Sequence, residues 1–159
     1  MSVETMTASE VMTRTLVTVE PEESPLMAWE LMWRAGVHHL PVVDACGRLV
    51  GVLAREDIAG NWSGGPAEQS RKQVRTLVRG VRCPRAAPDA PLSEIAALMA
   101  DSGCGAVPVL GPDDILRGLV TTTDVLMALA GRTPRPAADL ADVKGGLFHL
   151  EPVPAVTCP

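Results

Sequence analysis

No tyrosine occurs among the 159 residues, and the aromatic complement ends at Trp29, Trp33, Trp62 and Phe148. A core without aromatic bulk has to be filled by Leu, Val, Met and Ala, and an apolar content of 47% is ample for that. Long apolar runs are missing too: no window approaches the roughly eighteen consecutive apolar residues of a membrane-spanning helix. The N-terminal stretch MSVETMTASEVMT has neither a basic start nor an apolar segment, so it does not read as a signal peptide. A cytoplasmic chain is the expectation, with Cys46, Cys83, Cys104 and Cys158 as reduced thiols. Their wide spacings contain no paired-ligand motif, so no metal site is assigned. No phosphate-loop signature and no GxGxxG is present, which leaves nucleotide hydrolysis and dinucleotide redox chemistry without support.

Positive charge is in short supply overall, with a formal net charge of −5. That argues against a nucleic-acid coat, which needs a basic surface to release counterions. Six of the fourteen basic residues nevertheless fall between Arg71 and Arg85. They read either as a solvated connector or as a cationic lip for phosphate groups. Stacking aromatics are absent from that segment, so nucleic acid ranks last among partners.

What is present is a duplication. Sliding the chain along itself by 67 residues sets Pro21 on Pro88, Leu31-Met32 on Leu98-Met99 and Gly36 on Gly103. It also sets Pro41-Val42 on Pro108-Val109, Gly51 on Gly118 and Asp57 on Asp124. In the first copy TLVTVE alternates like a half-buried strand, and PEESPLMAWELMWRAG reads as a helix stopped by Gly36. VHHLPVVD and RLVGVLA are short strands joined by a glycine turn, and REDIAGNW begins a second helix. The second copy repeats the order, with its first strand expected near VRCPRAA. Each unit, strand-helix-strand-strand-helix, leaves one sheet face bare, and packing the two bare faces together resolves the exposure. The expected class is therefore α/β (α+β), two pseudo-symmetric motifs packed sheet to sheet. Boundaries are set at 8–62 and 74–131, with a connector at 63–73 and a Pro/Gly-rich arm at 132–159 on which Phe148 and Leu150 can dock.

This tandem pattern resembles the CBS-domain pair, the module named after cystathionine β-synthase. The residues that carry the likeness are AGVHHLPVVDACGRLVGVLAREDI and SGCGAVPVLGPDDILRGLVTTTDVL. The resemblance implies a regulatory module with clefts between the halves that bind AMP, ADP, ATP or S-adenosylmethionine as regulatory ligands, with no cofactor required. Its glycine-apolar-apolar-Thr/Ser-x-x-Asp motif falls on Gly118, Thr121 and Asp124, and in the first copy on Gly51 and Asp57, with Ala54 where a hydroxyl is expected. Ionised carboxylates accept strong hydrogen bonds from ribose hydroxyls, and a threonine adds a donor. The principal cleft is accordingly expected around Thr121 and Asp124. Val107 and Pro108 would supply the adenine slot, Cys83 and Arg85 would lie beside it, and Arg55 would reach toward phosphate. The competing reading of Asp57 and Asp124 is a plain helix cap.

The first helix carries a second apolar stripe, Leu26, Trp29 and Trp33, that has no counterpart in the other copy. It is the candidate surface for a homodimer or a client protein, unless the C-terminal arm covers it. Catalysis is not expected, because His38 and His39 are adjacent on a strand and point to opposite faces. One of them can line a cleft and meet a phosphate. A free-standing pair would signal to a separate partner; a ligand-free scaffold is the alternative.

Overall fold

The computed structural model describes residues 2–14, 16–78 and 83–132; the expected C-terminal arm, with Phe148 and Leu150, lies outside the described residues. Helix α1 (Ala8–Val11) leads into α2 (Pro25–Ala35), strands β1 (His39–Val43) and β2 (Leu49–Ala54), and α3 (Arg55–Gly60). Short helices α4 (Pro66–Gln69) and α5 (Arg75–Val78) follow, then α6 (Leu92–Ser102), β3 (Ala106–Leu110), β4 (Leu116–Thr121) and α7 (Thr122–Leu129). No helix among the described residues is long and apolar enough to cross a membrane.

Local chemistry explains the regular elements. Ser24 accepts a hydrogen bond from the Met27 amide while Pro25 opens α2 with its φ already fixed. Gly36 and Gly103 end α2 and α6 in the left-handed region, at φ 63° and 69°. The β1–β2 and β3–β4 hairpins are antiparallel and share one register, Pro41 opposite Val52 and Pro108 opposite Leu119, with a shift at the same place in each.

Among the described residues, the expected first strands are much shorter than the alternation suggested. TLVTVE contributes one parallel bridge, Val19 to Val42, and the segment around VRCPRAA one, Ala86 to Val109. Each bridge is held by two backbone bonds, Val19 and Val43 in one half and Ala86 and Leu110 in the other. Pro21, Pro84 and Pro88 stand close to these bridges and have no amide to extend a ladder.

Three apolar clusters form the interior. Met32, Leu40, Leu53 and Ile58 fill the first half, and Leu92, Ile95, Val107 and Val120 the second. A third cluster, Leu16, Leu49, Val52, Ala106, Leu110, Leu116 and Leu119, lies between the sheets and closes the bare faces against each other. That is the sheet-to-sheet pairing expected from burial.

The segments that open each repeat change sides. Ala8, Val11 and Met12 are buried in the second half's core, and Val74 and Val78 in the first half's. Helices α1 and α5 occupy equivalent positions at the 67-residue offset, so the exchange is reciprocal. It fixes the two motif glycines. A Cβ on Gly51 would come within 2.9 Å of Val78 Cβ, and one on Gly118 within 2.5 Å of Met12 Sδ and 3.0 Å of the Thr13 carbonyl oxygen. Each glycine is the seat of the other repeat's leading helix.

Candidate functional site

The open ends of the two hairpins meet at the junction between the halves. His39 opens β1 opposite Ala54, and Ala106 opens β3 opposite Thr121. The His39 ring reaches across the boundary, with Cε1 3.3 Å from where a Cβ on Gly105 would stand. Each strand end hands the chain to a helix through the same backbone bond, Arg55 N–H to the His38 carbonyl and Thr122 N–H to the Gly105 carbonyl.

Thr121 and Asp124 form a reciprocal capping box on α7. Asp124 Oδ2 accepts from the Thr121 amide at 2.8 Å and from its hydroxyl at 3.0 Å, and the Asp124 amide donates to Thr121 Oγ1 at 3.4 Å. Both carboxylate bonds fall on Oδ2, so Oδ1 takes no part in the box. Burial pushes the Asp124 carboxyl above its ordinary value, against the two bonds from Thr121 that favour the ion. In the first half only one arm of the box exists: Asp57 Oδ2 accepts from the Ala54 amide at 2.8 Å, and alanine has no hydroxyl to answer. The helix-cap reading and the ligand reading thus apply to the same atoms.

The remaining predicted residues divide into those brought to the junction and those carried away. Val107 and Pro108 are buried in β3, with Val107 in the second-half core. Cys83 is half-buried against the inter-sheet cluster. Burial raises its thiol pKa, and nearby Cys104 and Asp57 push it the same way while the Val52 backbone opposes them. Its electrostatic neighbours come from both halves, Cys104 from the second and the Val52 backbone and Asp57 from the first. Cys83 and Cys104 are free thiols, whereas Cys46 is disulfide-bonded, which departs from four reduced cysteines.

Arg85 pairs with Asp114 at 3.4 Å, in the β3–β4 turn at the far end of the sheet from Thr121. Arg55 stacks over Trp29 at 5.7 Å from the ring centroid, and Trp62 meets the same ring edge-on at 6.3 Å. Trp62, just after α3, and Arg55 of α3 thus cover the flank of Trp29. Trp33 remains 73% exposed.

Sequence reasoning did not single out Gly105 or Cys104. Histidine 39 was visible only as half of a pair on an alternating strand. Burial lowers its pKa, against the pull of Glu56 and Asp57.

The CBS domain family profile matches residues 8–63 and 78–131. L-aspartate semialdehyde sulfurtransferase of Methanocaldococcus jannaschii is 28% identical over 126 residues, 77% of this chain and 23% of that protein. The chain spans between 23% and 44% of the length of the curated relatives it matches. Among solved structures, the CBS domain pair of protein MJ0100 in complex with 5′-methylthioadenosine and S-adenosyl-L-methionine superposes with a TM-score of 0.67 at 25% identity, covering 79% of this chain and 97% of that one. CBSX2 in complex with AMP superposes with the same score and identity, over 79% and 96%. The AcuB protein of Vibrio cholerae covers 89% of this chain and 98% of its own, with a TM-score of 0.70 at 22% identity. With its repeat, its exchanged helices and both profile matches agreeing, the chain belongs to the CBS-domain family as a tandem pair.

Proposed function

We propose that this pair is a regulatory module that takes an adenosine-containing ligand at the junction beside Thr121 and Asp124 and passes the signal to a separate protein. The observation that carries the reading is the likeness, at 25% identity over 79% of this chain, to two pairs solved in complex with adenosine compounds. The local chemistry is compatible. Thr121 holds Asp124 through one oxygen, leaving the other for ribose hydroxyls, and the half-buried setting strengthens such bonds. His39 stands across the boundary, where its ring N–H would meet phosphate.

The test is thermal unfolding with AMP, 5′-methylthioadenosine and S-adenosylmethionine. Saturating ligand at about a hundred times Kd adds roughly 2.7 kcal/mol of stability, a shift of several degrees for a body of this size. Asp124→Asn, which keeps a capping oxygen but not the charge, should lose most of that shift. No shift with any of the three at millimolar concentration overturns the proposal.

A second reading rests on the same box. Thr121 and Asp124 already satisfy each other, which is what a ligand-free scaffold requires. In that case Asp124→Asn alters stability alone and no nucleotide is retained through purification, as native mass spectrometry would show. For assembly, exposed Trp33 on α2, with Leu126 at 65% and Leu129 at 62% exposure on α7, supplies the apolar helix faces of a homodimer or client contact.

A further inference from the structure

A cavity of about 810 Å³ opens at the opposite end of the second sheet, lined by Ser9, Met12, Arg14, Ala87, Pro88, Leu110, Gly111, Pro112 and Arg117. Arg117 and Thr121 are four residues apart on β4, about 13 Å along an extended strand. The cavity is therefore separate from the Thr121–Asp124 junction and uses none of its groups.

Its chemistry is consistent. Met12 and Leu110 are buried and, with Pro88 and Pro112, give one apolar wall. Arg14 and Arg117 provide two guanidinium groups, and among the described residues neither forms an ion pair. Arg14 is held in place by donating through Nη2 to the Ser9 carbonyl at 3.0 Å. Arg117 lies across Gly111, with Nε 2.6 Å from where a Cβ would stand, so the absent side chain makes its seat. Of the two carboxylates in the adjoining turn, Asp114 is already taken by Arg85, and among the described residues neither Asp113 nor Asp114 pairs with Arg14 or Arg117.

The repeat provides an internal control. At the positions of Gly111 and Arg117 the first copy has Asp44 and Val50. There Asp44 spends its carboxylate on the Cys46 and Arg48 amides, closing the turn. The shared fold does not need Arg117. One copy has a cation and a glycine where the other has a valine and an acid, and packing does not call for that difference.

We infer that this cavity is a second binding site, for a small organic anion whose phosphate or carboxylate head is held by Arg14 and Arg117 while its apolar body rests on Met12, Leu110 and the two prolines. Paired guanidiniums suit planar or tetrahedral oxyanions through forked hydrogen bonds, and the volume falls within the usual range for small-molecule sites.

Isothermal titration with phenyl phosphate, benzoate and inorganic phosphate tests it on the intact chain. Saturable binding of phenyl phosphate or benzoate is expected, stronger than that of inorganic phosphate and weakened by salt. Whichever head group binds more tightly names the ligand class. Arg117→Gln should weaken binding roughly tenfold or more, as loss of a charge-assisted bond implies, and Arg117→Lys by less. AMP should neither compete nor change its own affinity in these variants. Absence of saturable binding by both aromatic probes, equal binding in the wild type and a folded Arg14→Gln/Arg117→Gln double variant, or displacement by AMP would each overturn the inference. None of these outcomes depends on whether adenosyl ligands bind at the junction.

Discussion

The two halves share a register, a core plan and a glycine seat, yet they end differently: the second closes its final helix with Thr121 and Asp124, the first with Asp57 alone. Their outer faces differ as well, tryptophan-rich and covered only at Trp29 in one, leucine-rich and bare in the other. What is common to both copies is set by packing, and what differs is free to serve binding. Gly118 shows both at once: it stands within a ligand motif, and a Cβ there would meet Met12 and Thr13, as one on Gly51 would meet Val78.

The largest effects should come from breaking what the halves share. Gly118→Val and Gly51→Val each force a side chain against the exchanged segment and should cost about 1–3 kcal/mol or more in urea unfolding. A near-neutral result at either site would mean that the exchanged helix is loosely held there. Smaller changes come from trading the difference. Thr121→Ala makes the second cap like the first and should cost about 1 kcal/mol, and Ala54→Thr should return part of such an amount to the first half. If the ligand reading holds, Thr121→Ala also weakens adenosyl binding by about tenfold, through loss of one hydrogen bond.

Smaller still is the effect of pH. His39 has a folded pKa below its ordinary value, so the unfolded chain takes up the proton first. Stability is then complete above about pH 6.5 and declines as pH falls below it, and His39→Gln should flatten that part of the curve. The least expected effect on stability is that of Trp33→Glu, within about 0.5 kcal/mol for so exposed a side chain. Its consequence should instead appear in sedimentation, as a smaller species if α2 is a homodimer face.

The duplication, the helix stops at Gly36 and Gly103 and the sheet pairing were legible in the sequence, because glycine, proline and alternation act locally. The exchange was not. Helix α1 is only four residues long, and nothing in ASEV indicates which core receives it. Nor could spacing show that Arg85 prefers Asp114, that Arg55 prefers Trp29 or that Cys83 and Cys104 lie near each other. Those choices are made by side chains that meet only after the halves close. The short helix α4 inside the expected connector, with Gln69 buried and bonded to the Ser63 carbonyl, belongs to the same class.

The crossing-over of α1 and α5 bears on how such a chain could arise. A single-repeat ancestor would have carried a leading helix that fitted another molecule's pocket better than its own, so it would have existed as an interlocked couple. Joining two copies through one linker turns that encounter into an event within a single chain, at a local concentration set by tether length rather than by expression level. Once tethered, the copies no longer had to remain alike.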